Sequence, residues 1–267
     1  MSAVVVQCHK KEALTVKKVL EVCVDSLSSA RAAAAGGADR LELCSALVVG
    51  GLTPSVELLE QIRENCSLPV RCLMRPRAGD FLYDAEELDL LCRQIRRLRA
   101  AGADGFVLGA LTPDGALDVP AMERLLEACG GQPVTLHRCM DVSCDPEAMY
   151  RAAAGLGVDT VLTSGGAAAC VEGVPVLERL LALRDAQNGP EVLIGAGVQA
   201  AVVRRLRVRL PGACAFHMSG KVLRESGMRF RKEGVPMGLP GLDEWHIQQT
   251  DAAAVQAAKA ALEEPLP

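Results

Sequence analysis

Aromatic residues are scarce in this sequence: one Trp, two Tyr and four Phe among 267 residues, 3% of the total. A core therefore has to be built from small aliphatic side chains, and the abundant alanine, leucine, valine and glycine suit many short elements of an α/β fold. Positive charge is not in excess. Lys and Arg number 29 against 33 Asp and Glu, a formal net charge of -4, which argues against nucleic acid as a partner because binding it needs a clustered basic surface. Long apolar runs are missing as well. The longest uncharged stretch, 43–56, contains glycines and a proline and is shorter than the roughly 18 residues of a membrane span. The first 25 residues carry lysines inside their only apolar stretch, so no secretory leader is expected and the expected location is cytoplasmic. A hydrophobic fraction of 50% with 23% charged residues excludes wholesale disorder.

Cys-x-x-Cys pairs are absent too. The eleven cysteines are odd in number and several lie inside apolar runs. In a reducing compartment they are expected as thiols, most of them acting as small buried hydrophobes.

What is present is alternation. Strand-like runs fall at 19–25, 40–45, 70–75, 105–110, 134–140, 160–164, 192–195 and 215–219. Between them, 55–64, 85–100, 119–128, 146–154, 174–185 and 200–209 are apolar at helical spacing. Eight strand-helix units in one chain match a single-domain (β/α)8 TIM barrel, with a doubly wound sheet as the lesser rival. Gly37-Ala38-Asp39, Gly102-Ala103-Asp104 and Gly157-Val158-Asp159 each end a helix and open an even-numbered strand, which marks those strands as equivalent. The expected division is an N-terminal extension over 1–18 and one barrel over 19–267. That barrel includes a Gly/Pro-rich stretch at 234–241 and a final helix at 251–262 covering the eighth strand.

Chemistry in such a barrel sits at the C-terminal strand ends. The first strand ends Glu21-Val22-Cys23-Val24-Asp25 and the second Glu42-Leu43-Cys44, so period-two alternation turns Glu21, Cys23, Glu42 and Cys44 inward. Two inward thiols on strands roughly 4.8 Å apart could share a soft metal ion such as Cu(I) or zinc, with Met74, Met140 and Met218 as further soft donors. Structural thiols are the alternative. Arg75 is the natural counter-ion for Glu21, Glu42 and Asp141, and with His137 they could do acid–base work on a small anionic or phosphorylated substrate. A structural ion-pair network explains the same residues equally well. Ser164, Gly165, Gly197, Ser219 and Gly220 lie in glycine-rich turns of the kind that bind anions. The arginine-rich segments 93–99 and 204–209 read as solvated helix faces.

At this point the chain resembles the CutC family of copper homeostasis proteins. The resemblance rests on Leu20-Glu21-Val22-Cys23-Val24-Asp25, Gly36-Gly37-Ala38-Asp39-Arg40-Leu41-Glu42-Leu43-Cys44-Ser45, Arg75-Pro76-Arg77-Ala78-Gly79-Asp80-Phe81, Gly109-Ala110-Leu111-Thr112, His137-Arg138, Leu162-Thr163-Ser164-Gly165 and Ser226-Gly227-Met228-Arg229-Phe230-Arg231. It implies a cytosolic TIM barrel, a homo-oligomer (dimer or tetramer), a role in copper tolerance, and Cu(I) held by Cys23 and Cys44; no catalytic activity comes with it. Two departures stand out. His137-Arg138-Cys139-Met140-Asp141 replaces the usual His-Arg-Ala-Phe-Asp, adding sulfur at Cys139 and Met140, and Phe216-His217-Met218-Ser219-Gly220-Lys221 carries a lysine suited to phosphate.

Overall fold

Eight parallel strands close on one another in chain order in the computed structural model, which describes residues 18–235, 237–238 and 244–266. They are β1 (Val19–Val24), β2 (Arg40–Leu43), β3 (Val70–Leu73), β4 (Gly105–Leu108), β5 (Val134–Leu136), β6 (Thr160–Thr163), β7 (Glu191–Ile194) and β8 (Ala215–Met218), and β8 pairs back onto β1. The crossover helices are α1 (Leu27–Ala35), α2 (Val56–Asn65), α3 (Ala85–Ala100), α4 (Val119–Cys129), α5 (Pro146–Gly155), α6 (Val174–Gln187) and α7 (Ala200–Arg209). The fold is the α/β TIM barrel expected from the alternation. Apart from Lys18, the N-terminal extension lies outside the described residues, as does much of the Gly/Pro-rich stretch.

The repeated Gly-x-Asp signature has a physical role at each recurrence. Gly37, Gly102 and Gly157 adopt φ of +85°, +94° and +77°, the left-handed turn that ends a helix without a Cβ penalty. The following aspartate pairs with the preceding strand: the amides of Asp39, Asp104 and Asp159 donate to the carbonyls of Leu20, Val70 and Val134. The Asp39 and Asp104 carboxylates also accept from the amides of Leu20 and Val70. Asp159 instead receives Arg71 from inside the barrel at 2.7 Å.

Four expectations change. The fifth strand ends at Leu136 rather than 140, because His137 caps a 3-10 turn, Arg138–Val142, by accepting the Cys139 amide on Nδ1. After β8 the chain forms an antiparallel hairpin, β9 (Lys221–Glu225) with β10 (His246–Thr250), which the loss of apolar periodicity there had concealed. The final helix, α8 (Ala252–Glu263), packs chiefly against α7, α1 and β1 rather than covering the eighth strand. Arg207 is not a solvated residue of α7: it is buried and donates to the Ala261 and Glu264 carbonyls, tying α7 to α8.

The main core lies between sheet and helices, where Leu20, Val22 and Val24 of β1 meet Leu41 and Leu43 of β2. The alternate residues fill the barrel interior. There Arg71 binds Thr135, Thr160 and Asp159, while Cys23, Cys44, Leu73 and Val107 form a separate small cluster.

Candidate functional site

Register decides what the inward residues of β1, β2 and β8 meet. Cys23 stands opposite Glu42, and Glu21 stands between Arg40 of β2 and His217 of β8. The Cys23 sulfur, a Glu42 carboxylate oxygen and a His217 ring nitrogen consequently lie within 4.8 Å of one another. Cys44 sits one pleat beyond Glu42, fully buried in the small cluster that includes Cys23, and its thiol donates to Glu42 Oε2 at 3.4 Å. Burial, then the charges of Glu42 and Cys23, push the Cys44 thiol well up from its ordinary range.

Glu21 orders this group from beneath. It accepts Arg40 Nε at 2.5 Å on one oxygen and His217 Nδ1–H at 2.8 Å on the other. Burial alone would raise its pKa, but Arg40 and then His217 outweigh it and bring the carboxyl down to about 2. With Nδ1 bound to Glu21, Nε2 of His217 faces Cys23 and Glu42, 3.7 Å from Glu42 Oε2. A carboxylate that holds the far nitrogen of a histidine fixes its tautomer and orientation for a ligand at the near one. Burial disfavours the imidazolium, yet the charges of Cys23 and Glu42 and the hydrogen bonds of Cys23 and Glu21 hold the His217 pKa well above normal. The Glu42 carboxyl is pushed up by burial.

The other candidates stand apart from this group. Arg75 is not the counter-ion of the carboxylates. Its terminal nitrogens donate to the carbonyls of Val49, Gly51 and Gly79, because the chain after β2 and the chain after β3 fold over its guanidinium. Asp141 pairs with Arg138 at 2.6 Å and accepts Thr163 Oγ1 and the amides of Ser164 and Gly166, so the amides of the turn after β6 are held by the protein's own carboxylate. His137 is buried, and burial followed by the charge of Arg75 lowers its pKa to about 3, so it stays neutral at physiological pH. Met74 and Met140 belong to the outer core, and Cys139 is fully buried beside them.

A cavity of about 290 Å3 opens at this end of the barrel. It is lined by Cys23, Glu42 and His217, by Arg75 and His137, and by Gly197, Met218, Ser219 and Lys221 at the ends of β7 and β8. Gly220 is set back, packed near Val255 and Met218.

Known proteins match this chain over the barrel. The CutC family model matches residues 18–222, the whole of the barrel sheet. The chain belongs to the CutC family. It is 40% identical over 243 residues to the human copper homeostasis protein cutC homolog, covering 91% of this chain and 88% of that protein. A CutC of Xanthomonas campestris pv. campestris is 46% identical over 202 residues, covering 76% of this chain and 83% of the relative. The crystal structure of the CutC of Streptococcus agalactiae superposes with a TM-score of 0.70 at 28% identity, covering 76% of this chain and 98% of that one. The CutC match ends one residue into β9 beyond Lys221, so β10 and α8 lie outside the matched stretch.

Of the residues named from sequence, the structure brings Cys23, Glu42 and Cys44 together with Glu21 beneath them. The sequence gives His217 no role of its own: it stands only within the run Phe216–Lys221 that departs from the family pattern. The signal that would have placed it is barrel closure, which makes the last strand the neighbour of the first. No helix among the described residues is long and apolar enough to cross a membrane.

Proposed function

We propose that this CutC protein acts in copper homeostasis by binding Cu(I) at the barrel mouth through Cys23 and Cys44, with His217 Nε2 as a third donor. The observation that carries the reading is the convergence of the Cys23, Glu42 and His217 donor atoms within 4.8 Å, with Cys44 packed in the same cluster. Thiolates and imidazole are soft to borderline donors of the kind Cu(I) selects. The residues therefore fit the ion by donor chemistry. The harder carboxylate of Glu42 has a different part: it accepts the Cys44 thiol hydrogen, so it is placed to take that proton when the sulfur binds metal. Glu21 holds His217 in the orientation a ligand needs.

The test is anaerobic Cu(I) titration against a competing chelator, with the fold of each variant checked by circular dichroism. About one tight equivalent per chain is expected for the native protein, lost in Cys23→Ser/Cys44→Ser and weakened in His217→Phe. Equal and weak binding by all three would reduce the reading to scattered thiols. Preferential uptake of Zn(II) would replace Cu(I) with a different ion at the same donors.

A further inference from the structure

Cys44, one of the two proposed copper thiols, is fully buried and does not line the cavity that Cys23, Glu42 and His217 share. An ion in that cavity meets Cys23 and His217 but reaches Cys44 only after something moves. The cover is short. Between β2 and α2 the chain turns through residues 46–51, and Leu47 of this loop packs on the cluster of Cys23, Cys44, Leu73 and Val107. Gly51 lies against the sulfur: a Cβ built on it would stand 3.5 Å from Cys44 Sγ and 2.7 Å from Leu73 Cδ2. Leu47, Gly50 and Leu73 line the cavity, and Cys44 does not.

The loop is attached as a hinged unit. At its base the Ser45 amide donates to the Leu52 carbonyl at 2.9 Å and the Leu52 amide to the Ser45 carbonyl at 2.7 Å, with Ser45 Oγ on the Thr53 carbonyl. Within it the amides of Val49 and Gly51 donate to the Ala46 carbonyl and that of Gly50 to the Leu47 carbonyl, so these bonds travel with the loop. Among the described residues its polar ties to the rest of the protein are Arg75 Nη1, donating to the carbonyls of Val49 at 2.9 Å and Gly51 at 3.2 Å, and a bond from the Leu47 backbone to the Asp25 carboxylate. Ala46 has φ of +49°, a left-handed conformation disfavoured for alanine, so the closed form depends on those ties rather than on backbone preference. Space lies beside the loop. A second cavity of about 630 Å3 is lined by Ala46, Leu47 and Val48 with Leu223 and Ile247 of the hairpin, and Leu47 borders both cavities.

We propose that residues 46–51 are the gate of the copper site and that Arg75 is its latch, an inference that rests on the reading of Cys44 as a Cu(I) ligand. Opening carries Leu47 and Gly51 off the Cys44 sulfur toward the larger cavity, and closing restores the Arg75 bonds to Val49 and Gly51. Arg75 suits the part because it is anchored elsewhere. Its other terminal nitrogen donates to the Gly79 carbonyl at 2.8 Å, and the Phe81 ring lies 5.2 Å from its guanidinium carbon, so the chain after β3 holds the side chain that grips the chain after β2. Bonds from a charged donor are stronger than the neutral ones inside the loop. Such an opening is local, exposing far less surface than unfolding of the barrel.

The experiment is alkylation of the metal-free full chain with iodoacetamide, followed at Cys44 and Cys72 by mass spectrometry over a series of urea concentrations below the unfolding transition. Cys72 is equally buried but belongs to the main core, so it reports opening of the whole barrel. In the native chain Cys44 is expected to react faster than Cys72 at a rate nearly independent of urea, while the Cys72 rate climbs with urea. Arg75→Met, which keeps the length of the side chain but removes its donors, should raise the Cys44 rate about tenfold or more and raise the ratio of the Cys44 rate to the Cys72 rate. General destabilisation would speed both thiols together. Equal rates and equal urea dependence at the two thiols of the native chain, a reading that holds even if the variant fails to fold, would overturn the gate. An unchanged ratio in folded Arg75→Met would overturn the latch. Copper is read in its own titration: weak, scattered Cu(I) binding with local labelling of Cys44 intact would overturn the copper reading, whereas one tight equivalent with Cys44 labelled only at the Cys72 rate would overturn the gate.

Discussion

His217 Nδ1 lies 2.8 Å from Glu21 Oε1, and this single bond turns the other ring nitrogen toward Cys23 and Glu42. Glu21 is fully buried and serves two partners from two strands, Arg40 of β2 and His217 of β8. It closes the seam where the last strand meets the first.

Replacing that carboxylate tests the seam. Glu21→Gln leaves Arg40 without its charge partner in a largely buried position, and removing one member of a buried pair costs about 3 kcal/mol or more. Urea denaturation should show a loss of that order. Cu(I) affinity should also fall, because His217 is no longer held. Unchanged stability would mean that solvent, not Glu21, balances Arg40.

Acid should destabilise the protein earlier than its carboxylates alone predict. His137 titrates at about 3 when folded and at its ordinary 6.5 when unfolded, burial being the main cause. The unfolded chain therefore takes up a proton that the folded chain refuses, and stability falls as pH drops from 6.5 toward 3. The whole effect is about 4–5 kcal/mol. Glu21, depressed to about 2 from 4.5, adds a further loss only as pH falls through that lower window. His217 has a raised pKa, so its contribution is complete below 6.5 and is lost as pH rises through its folded value. Urea midpoints measured at intervals between pH 7 and 5 should fall for the native chain and stay nearly level for His137→Phe. Parallel slopes would assign the acid sensitivity elsewhere.

A methyl group at position 109 should disturb the site from behind. The Cβ of Gly109→Ala would come within 2.5 Å of Cys139 Sγ and 3.0 Å of His137 Nδ1, both buried side chains with little room to yield. Overpacking of this kind costs about 1–3 kcal/mol. The expected outcome is a lower urea midpoint and altered His137 ring resonances, whereas a native spectrum would show that the imidazole can retreat.

Much of the fold was legible because it depends on periodicity. Strand starts matched closely, since Gly-x-Asp turns and helix caps are local signals, and Asp84 with Glu87 forms the reciprocal cap that opens α3. Strand ends were read too long, most clearly after Leu136, where a histidine turns the chain by binding a nearby amide. The hairpin of β9 and β10 was missed because Val222, Leu223 and Ile247 are exposed there and show no buried face to create a pattern.

The site was legible one strand at a time. Alternation placed Glu21, Cys23, Glu42 and Cys44 inside the barrel, and the structure finds all four buried there. It did not reveal that Arg75 spends its terminal nitrogens on loop carbonyls, or that Asp141 fills the turn after β6.

By itself the sequence determined the architecture and the inward set of carboxylates and thiols, because composition, period and turn residues act over a few neighbouring positions, and its motifs carried the resemblance to the family. Only the tertiary structure decided partners. Closure brought His217 beside Glu21, the β1–β2 register set Cys23 against Glu42 rather than Cys44, and Phe81 braced Arg75 and His137 in one cavity wall. Those relationships join residues as far as 196 positions apart, and strand register and loop packing, which no local pattern encodes, are what bring them into contact.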